Sequence, residues 1–363
     1  MLAYAHPLFR AFPPPRFLVA PAPGLALSPR AARSALLSRT GDGLSLESHN
    51  EADIPEAVIV DGEIKDRDAL KAVILHLAET GALRSAHIAI PAEAGFLVSL
   101  EVPRLVGAGL EKTLVNGIEQ QVPFSVEEVF FDYEIIGGIP QASDTLRLVV
   151  AVVPRKTVFD YLSLVRECGI APVSLELGAH ALARALIPRK APRVCMLVDI
   201  DAGGTSIGIA ENGVIRFAAT IHAGGNLLTE AIAKNFNIPF AEARKQKEEL
   251  GVRRQKDGPD MVTILMPPLS ALRDEIKRYY LSWHATTAGT RSGAPKIEKI
   301  ILSGGEASVP GVADYLRGSL KEDVVIGNPW TNILSFGGKT PALPRGESLR
   351  YAAALGLALR SFV

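Results

Sequence analysis

The chain has 363 residues, of which 48% are apolar and 21% are charged, so it can bury a large core and is not intrinsically disordered. Its 39 basic and 39 acidic residues cancel, which excludes the basic surplus of a nucleic-acid-binding protein. Cys168 and Cys195 are too few for a zinc site and are expected to be reduced, which favours the cytosol.

Residues 1–16 form an N-terminal tail that is interrupted by Pro7 and by three consecutive prolines at 13–15. The tail lacks a basic segment followed by a continuous apolar run, so no secretory signal is predicted. Elsewhere no apolar stretch reaches the roughly 18 residues that a membrane-spanning helix needs. We interpret the tail either as a segment that docks on a partner or on the body, or as an unattached extension.

Strand-like and helix-like segments alternate in the first part of the chain. Apolar and β-branched runs predict short strands, and apolar positions at helical spacing predict one amphipathic helix that ends at Gly81. The predicted elements are strands at 17–19, 24–27, 35–37, 57–60 and 86–90 and a helix at 68–80.

A segment of different character occupies residues 95–157. Its βαββ order predicts a small inserted subdomain. The predicted elements are a strand at 96–102, a helix at 110–121, strands at 129–136 and 146–153, and a following helix at 157–168.

The second half of the chain repeats the alternation of strands and helices predicted for the first half. Three strands separated by tight turns precede a helix, and Asn212-Gly213 is a hairpin signal. This order is the building block of actin-like halves, in which the first hairpin turn holds phosphates through backbone N–H groups. The predicted elements are strands at 194–199, 206–210, 214–220 and 297–302, helices at 226–235, 241–250, 266–284, 310–320 and 348–359, and a loop at 286–294.

Residues 199–206 (DIDAGGTS) join two predicted strands and are the strongest candidates for binding a metal ion or a phosphate. The Asp199 carboxylate can orient water or Mg²⁺, and the small residues allow the backbone to approach a phosphate. An ordinary glycine hairpin explains the run equally well. Residues 204–208 also match the G-x-S-x-G nucleophile elbow, but Ser206 leads into a strand instead of a helix, which argues against a hydrolase.

Two further features are less specific. Gly304-Gly305 follows a predicted buried strand and suits contact with an adenosine, although a tight strand-to-helix turn is the simpler interpretation. Lys245 and Lys247 lie in a charged helix and are expected to face solvent. The seven histidines are scattered without metalloprotease spacing, so no histidine metal site is predicted.

Several stretches together resemble the type IV pilus assembly protein PilM family, which is related to the cell-division protein FtsA. The most specific stretch runs from Glu119 to Tyr133 and carries the pattern E-x-x-x-P-F-x-x-E-E-x-x-x-D-Y. The resemblance covers nearly the whole chain from about residue 17. Other matching stretches are 153–155, 161–162, 169–172, 302–305, 309–311, 315–316 and 351–359.

The resemblance implies an α/β fold, namely the two-lobed actin-like ATPase (ribonuclease H-like) fold with an FtsA-type inserted subdomain. The implied division is a tail at 1–16, a first lobe at 17–94 plus 158–190, the inserted βαββ subdomain at 95–157, a second lobe at 191–236 plus 296–363, and a mostly helical subdomain at 237–295. The implied nucleotide-binding residues, with Asp199 also as the metal ligand, are Ser28, Asp199, Gly203, Gly204, Thr205, Gly224, Gly225, Lys245, Gly304 and Gly305.

The nucleotide motifs depart from the family pattern. Ala26 stands where the family has an aspartate that organises Mg²⁺, and Arg33 stands where a lysine is usual. Asp201 replaces a glycine and brings a charge toward the phosphates, which costs on the order of 1–4 kcal/mol at about 4 Å. Glu306 follows the glycine pair where a small residue is common. ATP and Mg²⁺ binding is therefore expected to be weakened or lost, and an efficient enzyme is not expected.

The resemblance implies a cytoplasmic adaptor of the type IV pilus inner-membrane platform. The inserted subdomain and its neighbour would bind the short cytoplasmic tail of a PilN-like membrane protein, and the chain would reach the membrane through that partner. Other platform proteins are expected partners, and nucleic acid is not. Three alternatives stay open: an FtsA-like division tether, whose trailing amphipathic membrane helix is not found here, a type II secretion platform component, and an actin-fold small-molecule kinase.

Overall fold

The computed structural model of the chain describes residues 20–40, 43–103, 108–136, 145–188, 194–253, 260–288, 296–334 and 341–362. The predicted tail at 1–16, the predicted strand at 17–19 and most of the predicted loop at 286–294 lie outside these residues. The strands are β1 (Gly24–Leu27), β2 (Ala31–Thr40), β3 (Gly43–Asp53), β4 (Ile59–Val60), β5 (Glu63–Ile64), β6 (Ser85–Ile90), β7 (Phe96–Pro103), β8 (Val129–Ile135), β9 (Thr145–Pro154), β10 (Ala171–Leu177), β11 (Val194–Ile200), β12 (Thr205–Glu211), β13 (Val214–Ile221), β14 (Lys299–Ser303) and β15 (Val324–Ile326). The α-helices are α1 (Arg67–Thr80), α2 (Ala108–Glu119), α3 (Arg155–Glu167), α4 (Gly178–Leu186), α5 (Gly225–Phe236), α6 (Phe240–Leu250), α7 (Met261–Ala288), α8 (Val312–Leu320), α9 (Arg345–Ser348) and α10 (Ala352–Ala358).

Helix α1 shows how the sequence determines a local element. Asp66 caps it by accepting a hydrogen bond from a backbone N–H of the first turn at 2.9 Å. Leu70, Ile74 and Leu77 fall on one face and are buried in the core of the first sheet. The helix predicted at 68–80 is therefore confirmed.

Two five-stranded sheets have the same strand order. The first is ordered β3–β2–β1–β6–β10 and the second β13–β12–β11–β14–β15. In each sheet the first three strands are antiparallel, and the last two run parallel to the third. Leu70 and Tyr161 are buried in the core of the first sheet, whereas Leu265 and Leu316 are buried in the core of the second. The repetition of two large halves, predicted from the sequence, is confirmed.

A third sheet, ordered β7–β9–β8, adjoins the first sheet and carries α2 on one face. Leu148, Val150 and Val152 of β9 pack with Leu114 and Ile118 of α2 in one apolar cluster. The alternate side chains of β9 point to the opposite face. The βαββ order predicted for this part of the chain is observed.

Helix α10 packs against α4 and the strands of the first sheet at very short distances. A Cβ atom on Gly24 would lie 2.1 Å from the carbonyl oxygen of Ala354. A Cβ atom on Gly356 would lie 1.9 Å from the carbonyl oxygen of Ala181. The helix can therefore approach its neighbours only because glycine occupies both positions.

Helix α7 is longer than predicted. It contains Pro267 and Pro268, whereas the sequence predicted a helix that starts beside them, at 266–284. A proline inside a helix removes a backbone hydrogen bond. Here Met261 and Leu265 are buried in the core of the second sheet, and this packing holds the turn before the prolines in the helix.

Two other predicted elements are shorter or interrupted. The strand predicted at 57–60 is reduced to β4, because Ala57 takes a positive φ of 62°. The helix predicted at 348–359 is interrupted, because a 3₁₀ turn at Leu349–Tyr351 separates α9 from α10.

Candidate functional site

The first and second sheets face each other across a cleft of about 340 Å³, here named the central cleft. The turn at 28–30 between β1 and β2 approaches it from one side, and the turn at 201–204 between β11 and β12 approaches it from the other. Charged side chains line most of the cleft: Arg30, Arg33, Glu51, Asp53, Asp201, Arg244, Glu248, Glu306 and Arg350.

The predicted glycines lie together on the second-sheet side of this cleft. Gly304 takes a φ of 83°, and a Cβ atom there would lie 2.2 Å from the Ile200 carbonyl oxygen. A Cβ atom on Gly224 would lie 2.3 Å from the Asp201 carbonyl oxygen. Glycine at these positions brings the turn at 201–204, the start of α5 and the end of β14 into contact.

Two of the residues predicted to bind nucleotide use their hydroxyl groups in hydrogen bonds within the protein. A third, Lys245, lies at the surface. The Ser28 hydroxyl donates to the Ala31 carbonyl at 3.0 Å, and the Thr205 hydroxyl donates to the Ala223 carbonyl at 2.7 Å. The Lys245 side chain is 75% exposed. These three residues are therefore not presented to a ligand in the central cleft.

Arg33 joins the two sheets across the cleft. Its Nε donates to Glu51 Oε1 at 2.8 Å, and its Nη1 donates to Asp201 Oδ2 at 2.7 Å. Burial disfavours the charged guanidinium, but the two carboxylates outweigh it and raise the pKa of Arg33. Asp201, which stands where the family pattern has glycine, thus has a permanent internal cation as its partner.

Arg30 lies directly over the turn at 201–204. A Cβ atom on Gly203 would lie 1.8 Å from the Cγ atom of Arg30, so the aliphatic part of the arginine covers this glycine. The guanidinium of Arg30 lies 3.7 Å from Glu56. The backbone of Gly203 is therefore covered by the Arg30 side chain.

Asp199 ends β11 beside Asp201. Burial first, and the Asp201 carboxylate second, raise the pKa of Asp199 to about 7, against the opposing effects of Arg33 and of a hydrogen bond with Ser303. A carboxyl group with this pKa is partly protonated at neutral pH. The buried position of Asp199 beside a second carboxylate is the physical cause of this raised pKa.

Lys247 and Glu306 form a buried ion pair with an Nζ–Oε1 distance of 2.7 Å. Lys247 Nζ also donates to the Gly225 carbonyl at 3.1 Å. A Cβ atom on Gly225 would lie 1.9 Å from the carboxyl carbon of Glu306, so this carboxylate fills the space above the start of α5. The expectation that Lys247 faces solvent is wrong. Lys247 lies one helical turn from the buried Ala243, a spacing that could have indicated an inward face.

A second concave surface, the side groove, lies between the third sheet and β10 and has a volume of about 280 Å³. Its floor is the open face of β9, where Val149, Ala151 and Val153 alternate with the residues that pack on α2. Leu175 and Leu177 of β10 form part of its wall. The floor and this wall are apolar.

Polar groups border the side groove. Arg184 donates to both carboxylate oxygens of Glu176, at 2.7 and 2.8 Å, and Arg360 also pairs with Glu176. Burial opposes ionisation of Glu176, but the hydrogen bonds from Arg184 outweigh it and lower its pKa. Asp132 and Glu134 of β8 are exposed and form no ion pair within the described residues. With three carboxylates and two arginines, the lining residues carry one net negative charge.

Two strands that border the side groove are the outermost strands of their sheets. Within the described part of the chain, β8 ends the order β7–β9–β8 and β10 ends the order of the first sheet. An outermost strand has main-chain N–H and carbonyl groups that no neighbouring strand satisfies. Phe130 and Phe159 add exposed aromatic surface beside β8, with ring centroids 5.7 Å apart.

Sequence reasoning did not locate the side groove, although β9 carries a signal for it. Residues 148–153 are uniformly apolar, and such a run predicts a strand with apolar surroundings on both faces. One face is covered by α2, whereas the other forms the floor of the groove. The strand β8 belongs to the stretch that resembles the PilM family most specifically.

The family model of the type IV pilus assembly protein PilM matches residues 24–362. The chain belongs to the PilM family. This match includes both five-stranded sheets and the third sheet, so the central cleft and the side groove both lie within the part that defines the family.

Solved structures show the fold of this PilM-family chain. A PilM–PilN type IV pilus biogenesis complex is similar with a TM-score of 0.75 and 23% identity, over 96% of this chain and 100% of that chain. The ethanolamine utilization protein EutJ from Carboxydothermus hydrogenoformans is similar with a TM-score of 0.54 and 16% identity, over 95% and 93% of the two chains. MreB 5 of Spiroplasma citri bound to AMPPNP is similar with a TM-score of 0.50 and 15% identity, over 93% and 95%. The predicted actin-like ATPase fold is therefore confirmed.

The relation of the PilM family to FtsA is also supported. The cell division protein FtsA of Neisseria meningitidis serogroup B (strain ATCC BAA-335 / MC58) is 33% identical over 90 residues, which are 24% of this chain and 22% of that protein. FtsA of Buchnera aphidicola subsp. Baizongia pistaciae (strain Bp) is 42% identical over 62 residues, 17% of this chain and 14% of that protein. The matched part thus spans less than a quarter of these curated relatives.

None of the helices within the described residues of this PilM-family chain combines the length and the apolar composition that a membrane crossing requires. In the same residues, no group of three or more His, Cys, Asp or Glu side chains is arranged to hold a metal ion.

Proposed function

We propose that the chain is an adaptor of the type IV pilus inner-membrane platform and that its side groove holds the cytoplasmic tail of a PilN-like membrane protein. The observation that carries the proposal is the side groove itself, an apolar floor of about 280 Å³ beside two outermost strands. Membership of the PilM family, with a PilM–PilN complex among its structural neighbours, supports this choice of partner.

The geometry of the side groove suits an extended peptide. A peptide that adds to β8 or β10 gains main-chain hydrogen bonds, and its alternate side chains point to one face. Such side chains would meet Val149, Ala151 and Val153 on the floor. The exposed carboxylates of Asp132 and Glu134 favour a peptide with basic residues.

We further propose that the chain works at the cytoplasmic side of the inner membrane, where its partner holds it. We propose the same domain division as above, with residues 95–157 as the inserted subdomain. In this division the side groove lies between the inserted subdomain and the first lobe. Other proteins of the platform are further proposed partners.

We infer that the central cleft has lost the capacity to bind ATP with Mg²⁺ effectively. Arg30 covers Gly203, Arg33 pairs with Asp201, and the Glu306 carboxylate lies over the start of α5. In an actin-like site the hairpin turns approach phosphates through their backbone N–H groups, and these contacts at the same turns support the inference. The adaptor role consequently needs no nucleotide chemistry.

The adaptor proposal is tested by calorimetric titration of the full chain with a synthetic peptide that has the sequence of the PilN-like protein's cytoplasmic tail. Saturable binding with one site per chain is the expected result. A folded chain, verified by circular dichroism, that binds no peptide up to millimolar concentration would overturn the proposal. A peptide of the same composition in scrambled order is the control.

The inference about the central cleft is tested separately by titrating ATP with and without Mg²⁺. We expect no binding below millimolar ATP in either condition. Micromolar binding that strengthens with Mg²⁺ would contradict a lost site. The variant Ala26→Asp combined with Asp201→Gly restores the family pattern in both phosphate loops, and a gain of Mg²⁺-dependent binding there would assign the loss to these two residues.

A further inference from the structure

Side chains from all three sheets line the side groove. Val149, Ala151 and Val153 of β9 form its floor, and Leu175 of β10 forms part of its wall. Ile215 of β13, in the second sheet, lines it as well. The groove therefore keeps its shape only while the third sheet is held in one position relative to the two five-stranded sheets.

An ion pair joins the third sheet to the second sheet beside these residues. Arg147 lies on the same face of β9 as Val149, two positions before it, because side chains alternate along a strand. Its Nη2 donates to Glu211 Oε2 of β12 at 2.5 Å. Glu211 is paired in the sheet with Val214, the neighbour of Ile215. The ion pair therefore connects the strand of the groove floor to the two strands that position Ile215.

Arg216 strengthens this link from the second sheet. It lies on β13 and donates to the same Glu211 oxygen at 2.6 Å, while its Nη2 lies 3.5 Å from Ser99 Oγ of β7 in the third sheet. Its Cζ lies 5.3 Å from the centroid of the Trp283 ring on α7. Glu211 is fully buried, and a buried carboxylate that loses its cation is strongly destabilised. The two arginines therefore favour one arrangement of the third sheet against the second.

We propose that Arg147 and Glu211 are positioning residues that hold the side groove in the shape that accepts the tail of the PilN-like protein. The proposal rests on the proposed function, because it concerns that peptide and that groove. Neither residue belongs to the lining of the groove in the described chain, so both act through the position of β9. A peptide that binds one of two arrangements stabilises it, and its apparent affinity falls with the fraction of molecules that adopt it.

Calorimetric titration of the full chain with the partner's tail peptide measures the effect on affinity. Arg147→Met removes the cation of β9 but leaves Glu211 paired with Arg216, so we expect this variant to fold. Its affinity is expected to fall about tenfold, as it would if about one molecule in ten kept the binding arrangement. Arg147→Lys keeps the charge and is expected to retain most of the affinity. Arg278→Met is the matched control with wild-type affinity, because Arg278 pairs with Glu275 at 2.6 Å on the exposed surface of α7.

Double electron–electron resonance measures the arrangement itself. Spin labels are attached at Asn116→Cys on α2 and Lys277→Cys on α7, two exposed positions, whereas the native cysteines are buried. We expect a broader or shifted distance distribution in Arg147→Met than in wild type and in Arg278→Met. Saturating peptide is expected to restore the wild-type distribution in Arg147→Met. A residue that only stabilised the fold would lower the free energy of unfolding and leave this distribution unchanged.

The proposal requires that affinity and distance distribution change together in Arg147→Met. A change in only one of them, or in neither, while the wild type binds the peptide would overturn the positioning role and leave the adaptor function standing. Failure of the wild type to bind the peptide would instead overturn the adaptor function. A changed distribution in Arg147→Met would in that case still support the ion pair as the element that positions the third sheet.

Discussion

The central cleft and the side groove differ in how their polar groups are satisfied. In the cleft Arg33 pairs with Asp201 and Lys247 pairs with Glu306, so internal side chains partner one another. In the groove the carboxylates of Asp132 and Glu134 lack an ion pair in the described residues, and two outermost strands border an apolar floor. This difference supports the proposal that the partner binds in the side groove and not in the central cleft.

Hydrogen bonds also connect the sheet of the side groove to a sheet of the central cleft. Glu211 of β12 is fully buried and accepts hydrogen bonds from Arg147 of β9 at 2.5 Å and from Arg216 of β13 at 2.6 Å. The hydrogen bonds from Arg147 and Arg216 outweigh burial and lower the pKa of Glu211. The sheet that forms the groove floor is thus tied to the sheet that forms one side of the cleft.

The largest expected effect concerns the buried ion pair between Lys247 and Glu306 at the central cleft. Lys247→Met leaves the Glu306 carboxylate buried without its cation, and breaking a buried pair in this way costs about 3–5 kcal/mol. The free energy of unfolding is measured by urea denaturation. Lys245→Met, at an exposed position two residues away, is the control and is expected to change it by less than about 0.5 kcal/mol.

Lys247→Met should not alter the groove of the molecules that remain folded. Partner-peptide affinity is therefore expected to equal that of wild type. The double variant Lys247→Met/Glu306→Gln is expected to recover much of the lost stability, because no buried charge is left unpaired. Equal destabilisation by both single lysine variants would show that the cleft does not depend on its buried pair.

The next effect concerns the groove. Ala151→Arg places a long side chain on the floor between Val149 and Val153, and the filled groove is expected to lose at least 100-fold in partner-peptide affinity, or about 2.7 kcal/mol. The affinity is measured by calorimetry. Leu281→Arg changes an exposed position of α7 and is expected to leave the affinity unchanged. Undiminished binding by Ala151→Arg would place the partner elsewhere on the surface.

A smaller effect depends on pH and on Asp199. Its pKa is raised from 3.8 to about 7 in the folded chain, so between these values the folded state holds a proton that the unfolded state has released. The contribution of Asp199 to the free energy of unfolding therefore falls as the pH rises from about 4 to 7, and it is constant at higher pH. Asp199→Asn removes this loss, and its advantage over wild type is expected to grow by about 1.4 kcal/mol for each pH unit within that range. Urea denaturation at pH 4.5, 6 and 8 measures it, and a difference that is constant with pH would contradict the assignment.

The smallest effect concerns the rim of the cleft. Arg350 is 41% exposed and lies 3.4 Å from Glu51, a longer contact than the one that Arg33 makes with the same carboxylate. Arg350→Ala is expected to lower the free energy of unfolding by less than about 1 kcal/mol. Arg33→Met is the comparison and is expected to cost more, since it leaves Asp201 unpaired. A larger loss for Arg350→Ala would show that the rim contributes as much as the crossing ion pair.

Local sequence signals predicted most of the fold. Asn212 and Gly213 take positive φ values of 53° and 83°, as a primed hairpin turn requires, and the strands on either side are observed. The capped amphipathic helix α1 was predicted for the same kind of reason. These elements depend on interactions between residues that are close in sequence, so the sequence alone is enough to predict them.

The interactions that shape the candidate sites could not be predicted in this way. Arg33 and Asp201 are 168 positions apart, and Lys247 and Glu306 are 59 apart, so no local pattern links them. The resemblance to the PilM family implied a nucleotide-binding role for Lys245, whereas the buried lysine of this helix is Lys247. A shift of two residues on a helix turns a side chain by about 200°, and only the packing of α6 selects the inward one.

The position of α10 determines when the chain can finish folding. The Ala22 N–H and the Ser361 hydroxyl that accepts its hydrogen bond are 339 positions apart, and α10 covers β1 in the same region. The sheet that leaves the ribosome first therefore keeps the apolar surface of its central strand open until α10 has been synthesised. A nascent chain that stalls before α10 exposes this surface to chaperones and to aggregation.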